Sequence, residues 1–210
     1  MLPTIPTPRL TLLLLTDTSP NSRHIDLYHE NWTDPDATAW SMRGASSSLS
    51  ESRDRLIDTL TNTDIYFYSI FVKKDGSGGG PDDLGEHIGS VSLRRPTPAF
   101  TLPIPGDVSG SGKEVDVRMM GYALFKKGWG KGYATEAGRA VLDAYGVCVA
   151  EEKARGERVF WVQACVDEGN PGSQAVVRKL GFRMYGWVEA ERFWLNGEWR
   201  TGCWSYGIEV

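Results

Sequence analysis

GYALFKKGWGKGYATEA, from Gly121 to Ala137, is the stretch that sets the fold. Its opening residues close a strand-like run, Val115 to Phe125. Glycines follow at 128, 130 and 132, and a helical pattern starts at Ala134. Glycine lets a backbone turn sharply and approach a ligand closely. The first N–H groups of a helix have no internal partner, and with the helix dipole they form a seat for an anion such as a diphosphate. Lys126, Lys127 and Lys131 add positive charge around the turn. No Lys-Ser/Thr pair closes it as in a P-loop, and it is not a dinucleotide fingerprint at a first strand. On spacing alone it is either a phosphate cradle or a plain glycine turn.

Downstream, Ala134, Ala137, Val141, Tyr145 and Cys148 recur at steps of three and four, which predicts a helix over about 134–150. Arg158 to Val166 (RVFWVQACV) is apolar on both faces, as a buried central strand is. A second helix is punctuated by Asn170 as N-cap, Pro171 at the first position and Gly181 at the end. Two strands near Arg183–Leu195 and Trp199–Ile208 meet at Asn196-Gly197, a hairpin signal. Upstream, Pro/Thr-rich residues 1–8 are expected to be extended, and Arg9 to Leu15 reads as a first strand. Helices are expected over Asn21–Trp32 and Leu49–Leu60, the latter with Ser50 as a possible N-cap. Asp64–Lys73 and His87–Leu93 read as paired strands joined by a flexible turn, DGSGGGPDD, at Asp75 to Asp83. Pro96 to Lys113 is expected to be a mobile loop, either a disordered insertion or a lid. The order predicts an α/β (α+β) fold, a mixed sheet of about seven strands with helices on its faces. No repeat or linker divides residues 1–210, so one domain is expected, with flexible loops at about 74–85 and 96–113.

Two segments resemble the GNAT acetyltransferase superfamily, and within it the branch that includes ribosomal-protein N-terminal acetyltransferases and relatives acting on small molecules. The family's Gln/Arg-x-x-Gly-x-Gly/Ala motif matches Trp129-Gly130-Lys131-Gly132-Tyr133-Ala134, with Trp129 departing at the first position. The longer WGKGYATEA is the more specific match, and NPGSQAVVRKLGF, Asn170 to Phe182, is the second anchor. Arg9-Leu10 and NGEWR at 196–200 match the branch's style. The resemblance implies a single GNAT-like domain with a mostly antiparallel sheet that splays between strands 4 and 5, the runs 115–125 and 158–166 here. It further implies acetyl-CoA as co-substrate in that splay, no metal, and direct attack by an amine on the thioester. Leu124, Phe125 and Lys126 would meet the pantetheine and acetyl group through backbone groups, with an oxyanion donor around Leu124 or Phe125. Trp129, Gly130, Lys131, Gly132, Tyr133, Ala134 and Thr135 would hold the diphosphate. Asn170 and Ser173 would contact the pantetheine or thiol end.

The catalytic groups are less legible. Many relatives carry a Glu two residues before Gly121-Tyr122, and Met119 stands there. The base is then sought at Asp116, acting through water, with Glu86, Glu189 and Glu191 as other candidates. The tyrosine that other relatives use to protonate the thiolate is replaced by Val177, which leaves Ser173 or solvent. Trp32, Trp40, Tyr66, Tyr68, Trp187, Trp194 and Trp199 are candidates for an acceptor pocket or for plain packing.

Composition bounds the alternatives. A net charge of −4 argues against broad nucleic-acid binding and mildly favours a cationic partner such as an amine. No apolar run approaches the roughly 18 residues that span a bilayer, and no signal peptide is apparent, so a cytoplasmic protein, monomer or homodimer, is expected. Cys148, Cys165 and Cys203 show no metal-ligand spacing and are expected to be reduced, small apolar side chains. Three functions stay open: an N-acetyltransferase for a small amine or a protein N-terminus, an acetyl-CoA-binding sensor or scaffold without catalysis, and a site for another phosphate ligand.

Overall fold

The computed structural model describes residues 1–74, 84–97 and 101–210. The turn expected at Asp75 to Asp83 lies outside the described residues. Among the described residues, eight strands form one sheet: β1 (Thr4–Pro6), β2 (Leu10–Leu14), β3 (Ile65–Val72), β4 (Glu86–Arg94), β5 (Glu114–Leu124), β6 (Arg158–Val166), β7 (Arg183–Leu195) and β8 (Glu198–Glu209). Their spatial order is β1-β2-β3-β4-β5-β6-β8-β7, and only the β5/β6 pair is parallel. The strand beyond the expected seven is β1, which pairs with β2 at the sheet's edge, where Pro6 removes no interior ladder bond. At the other edge, Asn196 and Gly197 take positive φ (48° and 78°), which suits the tight β7–β8 hairpin.

Helices cover both faces. On one face lie α1 (Arg23–Thr33), α2 (Pro35–Thr38) and α3 (Leu49–Asn62). There Ile25, Tyr28 and Leu56 pack on Leu15, Phe67 and Phe71. Ser22 caps α1, and α3 is capped by Ser48, which accepts from the Glu51 N–H; the expected cap, Ser50, is already inside the helix. On the other face the long α5 (Tyr133–Ala154) buries Ala137, Val141 and Tyr145 against the larger core, together with Val177 of α6 (Pro171–Lys179). Asn170 caps α6 and Gly181 follows its end at φ 93°, as the sequence predicts.

Two expectations change. Within 96–113, residues 101–113 carry a short helix, α4 (Gly106–Ser109), and Leu102 and Val108 are buried. The Pro103 carbonyl also accepts from Gln163 Nε2 at 2.9 Å, so this part of the segment is fastened to the sheet. Cys165 of β6 and Cys203 of β8 are joined in a disulfide, which corrects the expectation of reduced cysteines for that pair. The pairing follows from the register of two antiparallel neighbours, Cys165 opposite Ser205 and Val166 opposite Trp204.

Candidate active site

The parting of β5 from β6 builds the site. The two strands pair only from Glu114 opposite Arg158 to Met119 opposite Gln163. Beyond that point β5 stays with β4 as far as Leu124, and β6 turns to β8. These are the fourth and fifth strands counted from Leu10, so the splay lies where the resemblance puts it. The Phe125 N–H donates to the Ile88 carbonyl at 3.0 Å. Because N–H directions alternate along an antiparallel ladder, the Tyr122 and Leu124 N–H groups face the gap. Of the two expected oxyanion donors, Leu124 is therefore the one so directed, and Phe125 is engaged. The side chains of Leu124 and Phe125 are buried, which leaves main-chain groups to meet a ligand.

The glycine turn continues from this strand. A single 3-10 turn, Lys126–Gly128, leads to Trp129, whose indole N–H donates to the Leu124 carbonyl at 2.8 Å. The residue that departs from the family motif thus ties the loop to the strand end. Gly130 and Gly132 take φ of 72° and 80°, where side chains are strained. A Cβ at Gly130 would meet no atom within 4 Å, so the loop's outer face is open. Gly132 is the N-cap of α5 and no side chain among the described residues caps the helix, so Tyr133, Ala134 and Thr135 present the donors that usually find one. This geometry fits a diphosphate.

Arg9, just before β2, braces the loop. Its Nη1 donates to the Lys131 carbonyl at 3.0 Å, its Nε donates to Glu136 Oε2 at 2.7 Å, and its guanidinium stacks over the Tyr133 ring at 4.8 Å. Burial opposes ionisation of Glu136, but hydrogen bonds from Thr7 and Arg9 outweigh it and lower its pKa. Lys127 pairs with Glu86 at 2.9 Å, which ties up one expected base candidate.

On the α1–α3 side the gap opens into a cavity of about 880 Å³. Asn170 and Ser173 line it beside Tyr122 and Ala123; the loop residues 124–135 do not. The Asn170 side chain accepts from the Ser173 N–H at 3.0 Å. The Tyr122 hydroxyl donates to the Ser173 carbonyl at 3.2 Å and so bridges the two sides of the gap; burial pushes its pKa up to about 12. Asn31 of α1, buried, donates to the Ala123 carbonyl at 3.1 Å and accepts from Ser90 at 2.5 Å, which fastens α1 to the splayed strand.

Asp116 is not part of this wall. It is buried on the α5 face, where it accepts from Arg95 at 2.6 Å and from the Tyr145 hydroxyl at 3.2 Å. Alternation along β5 sends Asp116, the expected base, to the opposite face from Met119. Met119 packs with Leu102 and Cys203, an apolar setting at the position where the resemblance implies a carboxylate. Of the expected aromatics, Trp32 and Trp40 line the cavity. Tyr66 and Tyr68 belong to the α5-side core, Trp187 stacks on Trp204, and Trp194 and Trp199 are exposed. Tyr28, Phe67, Phe193 and Asp167 also line the cavity and were not singled out in the sequence. Asp167 is buried beside Arg200 at 3.2 Å and accepts from the Gly169 N–H at 2.8 Å.

A mixed sheet splayed between β5 and β6, with an uncapped helix start beside the splay, is the frame of this site. The family profile of the acetyltransferase (GNAT) domain matches residues 9–183, and the chain belongs to that family. No curated protein matches it by sequence. Solved structures share the fold. RimL, a ribosomal L7/L12 alpha-N-protein acetyltransferase in complex with coenzyme A, is 20% identical with TM-score 0.59, over 99% of this chain and 98% of that one. An acetyl transferase from Salmonella typhimurium that modifies the N-terminal serine of L7/L12 is 20% identical with TM-score 0.58, over 99% of each chain. Spermidine N-acetyltransferase from Vibrio cholerae, with CoA and spermine, is 14% identical with TM-score 0.63, over 97% of this chain and 96% of that one.

Proposed function

We propose that the protein is an acetyl-CoA-dependent N-acetyltransferase that acetylates a primary amine by direct attack in a ternary complex. The observation that carries this is the uncapped start of α5 behind Gly130 and Gly132, continuous with a strand whose Leu124 N–H faces an unpaired gap. Acetyl-CoA supplies the acetyl group as a thioester; the amine nitrogen forms the new C–N bond as the C–S bond breaks. In this reading the N–H groups of Tyr133, Ala134 and Thr135 hold the diphosphate, with Trp129, Gly130, Lys131 and Gly132 shaping the loop and Lys126 adding charge. The Leu124 N–H stabilises charge on the carbonyl oxygen, and Asn170 and Ser173 orient the pantetheine end. Tyr122, still protonated at neutral pH, and Ser173 supply hydroxyls for the departing sulfur. An alkyl ammonium must lose a proton before attack, since its pKa is about 10. The cavity-wall carboxylates Asp167 and Glu191 are the available acceptors, through water.

The apolar setting of Met119 favours a second reading, a protein that binds acetyl-CoA without turnover. A thiol-release assay over peptides, polyamines and amino acids separates the two. Release of CoA that depends on the amine supports the enzyme. Calorimetric uptake of acetyl-CoA with no release across the panel supports the binding protein.

A further inference from the structure

The end of the cavity away from the gap is lined by donors. Arg94 closes β4, opposite Met119. Ser90, on the same strand and opposite Ala123 at the gap, is four residues away, or roughly 13 Å at the rise of a strand. Arg43 lines the same end from the segment after α2. It donates to Thr59 at 3.0 Å and pairs with the exposed Asp58 only at 3.4 Å, so its charge is partly met. The two guanidinium groups sense one another: burial lowers the pKa of Arg94 first, and the charge of Arg43 lowers it further. Trp32 lines the cavity too, and its buried indole N–H has no hydrogen-bond partner among the described residues. A buried donor in a native structure normally has a partner. The other carboxylates of the wall lie elsewhere: Asp167 is held by Arg200 and Gly169, and Glu191 is exposed on the irregular middle of β7.

We infer that the acceptor is a small amine carrying an anionic group, a carboxylate or a phosphate, which Arg43 and Arg94 receive at the end of the cavity remote from Ser173, with the Trp32 indole N–H as a further donor on the wall. Guanidinium groups match such oxyanions in geometry as well as charge. The amine then reaches the gap from an anchored far end, which turns binding at one end into orientation at the other. The local charge of this cavity, rather than the net charge of −4, sets acceptor choice.

This inference rests on the acetyltransferase reading for its kinetic arm but not for its binding arm. In the kinetic arm, thiol release at fixed acetyl-CoA is compared for 6-aminohexanoate, 6-aminohexyl phosphate, 6-aminohexanoate methyl ester and 1,6-diaminohexane. One or both anionic amines should exceed the ester and the diamine at least about tenfold in kcat/KM, a difference of about 1.4 kcal/mol. The favoured anion identifies the source. Arg94→Gln and Arg43→Gln should each raise KM for that amine and shrink its advantage over the ester. In the binding arm, calorimetry follows uptake of 6-aminohexanoate and 6-aminohexyl phosphate by the wild type and by Arg94→Gln, with acetyl-CoA uptake reporting that the variant is folded. Uptake of either by the wild type and its loss in the variant supports the inference even if no amine is acetylated, an outcome that sinks only the enzymatic reading. Equal or better use of the diamine or ester, or no uptake of either anionic amine by the wild type, overturns it.

Discussion

Gly132 concentrates the argument at the residue scale. Its φ of 80° costs a side chain about 1–2 kcal/mol, and a Cβ there would come within 3.5 Å of the Arg9 guanidinium. An aspartate adds negative charge at a helix start expected to hold a diphosphate. We expect Gly132→Asp to raise KM for acetyl-CoA at least about tenfold, whereas Gly132→Asn, which tolerates the same backbone, raises it far less. Equal effects of the two would assign the loss to backbone strain alone. The loop glycines, the α6 cap and Asn170 were legible because each is a local backbone requirement written in a few neighbouring residues. The facing of Asp116 was not legible, for the opposite reason. Its facing depends on strand alternation and on Tyr145 and Arg95, which are distant in sequence. The Cys165–Cys203 bond depends likewise on the register of β6 against β8.

The splay, at the element scale, depends on how β4 holds β5. At Gly89 the pairing of β4 with β3 slips by a residue, and φ is 133°. A Cβ there would sit 2.3 Å from the Ala123 carbonyl oxygen and 2.6 Å from the Leu124 Cα, both main-chain atoms with little freedom to yield. We expect Gly89→Ala to destabilise the fold by about 2–3 kcal/mol, a fall in Tm of roughly 4–12 °C for a chain of this size. It should also lower kcat, because the displaced segment carries the Leu124 N–H. Thermal melts and single-turnover rates check both effects, and a Tm within a degree of wild type would contradict this account of the close approach. Element identity and order were legible from apolar period and punctuation, and β6 and β7 fall where the sequence places them. The three-residue β1 and the four-residue α2 and α4 were not. Such short pieces hold through partners: β1 through its ladder to β2, α4 through Val108 against Val159 and Trp161.

Across the whole molecule, the cavity collects side chains from α1, α2, the segment after it, α3, β3 to β8 and α6, an assembly that no local pattern encodes. Stability at this scale should respond to mildly acidic pH through two histidines. Burial lowers the pKa of His87 from 6.5 despite Glu30, and burial likewise lowers that of His24 despite Asp17. His24 Nδ1 also accepts from the Thr16 and Asp17 N–H groups at 2.9 and 3.0 Å, which requires it unprotonated. The unfolded chain therefore binds more protons, so stability is complete above about pH 6.5 and falls as pH drops toward the lowered folded values. Asp17 and Glu51, held near a pKa of about 2, stay charged through that window and do not contribute to the fall. Melts from pH 7.5 to 5 should show a declining Tm, and His87→Gln should flatten the decline; a flat wild-type profile would contradict it. The central claim, that main-chain donors at the start of α5 hold the diphosphate of a CoA thioester, is tested most directly by a crystal structure with acetyl-CoA. Diphosphate oxygens should lie within hydrogen-bond distance of the Tyr133, Ala134 or Thr135 N–H, with the thioester in the gap beside Leu124. A cofactor seated away from both would contradict it.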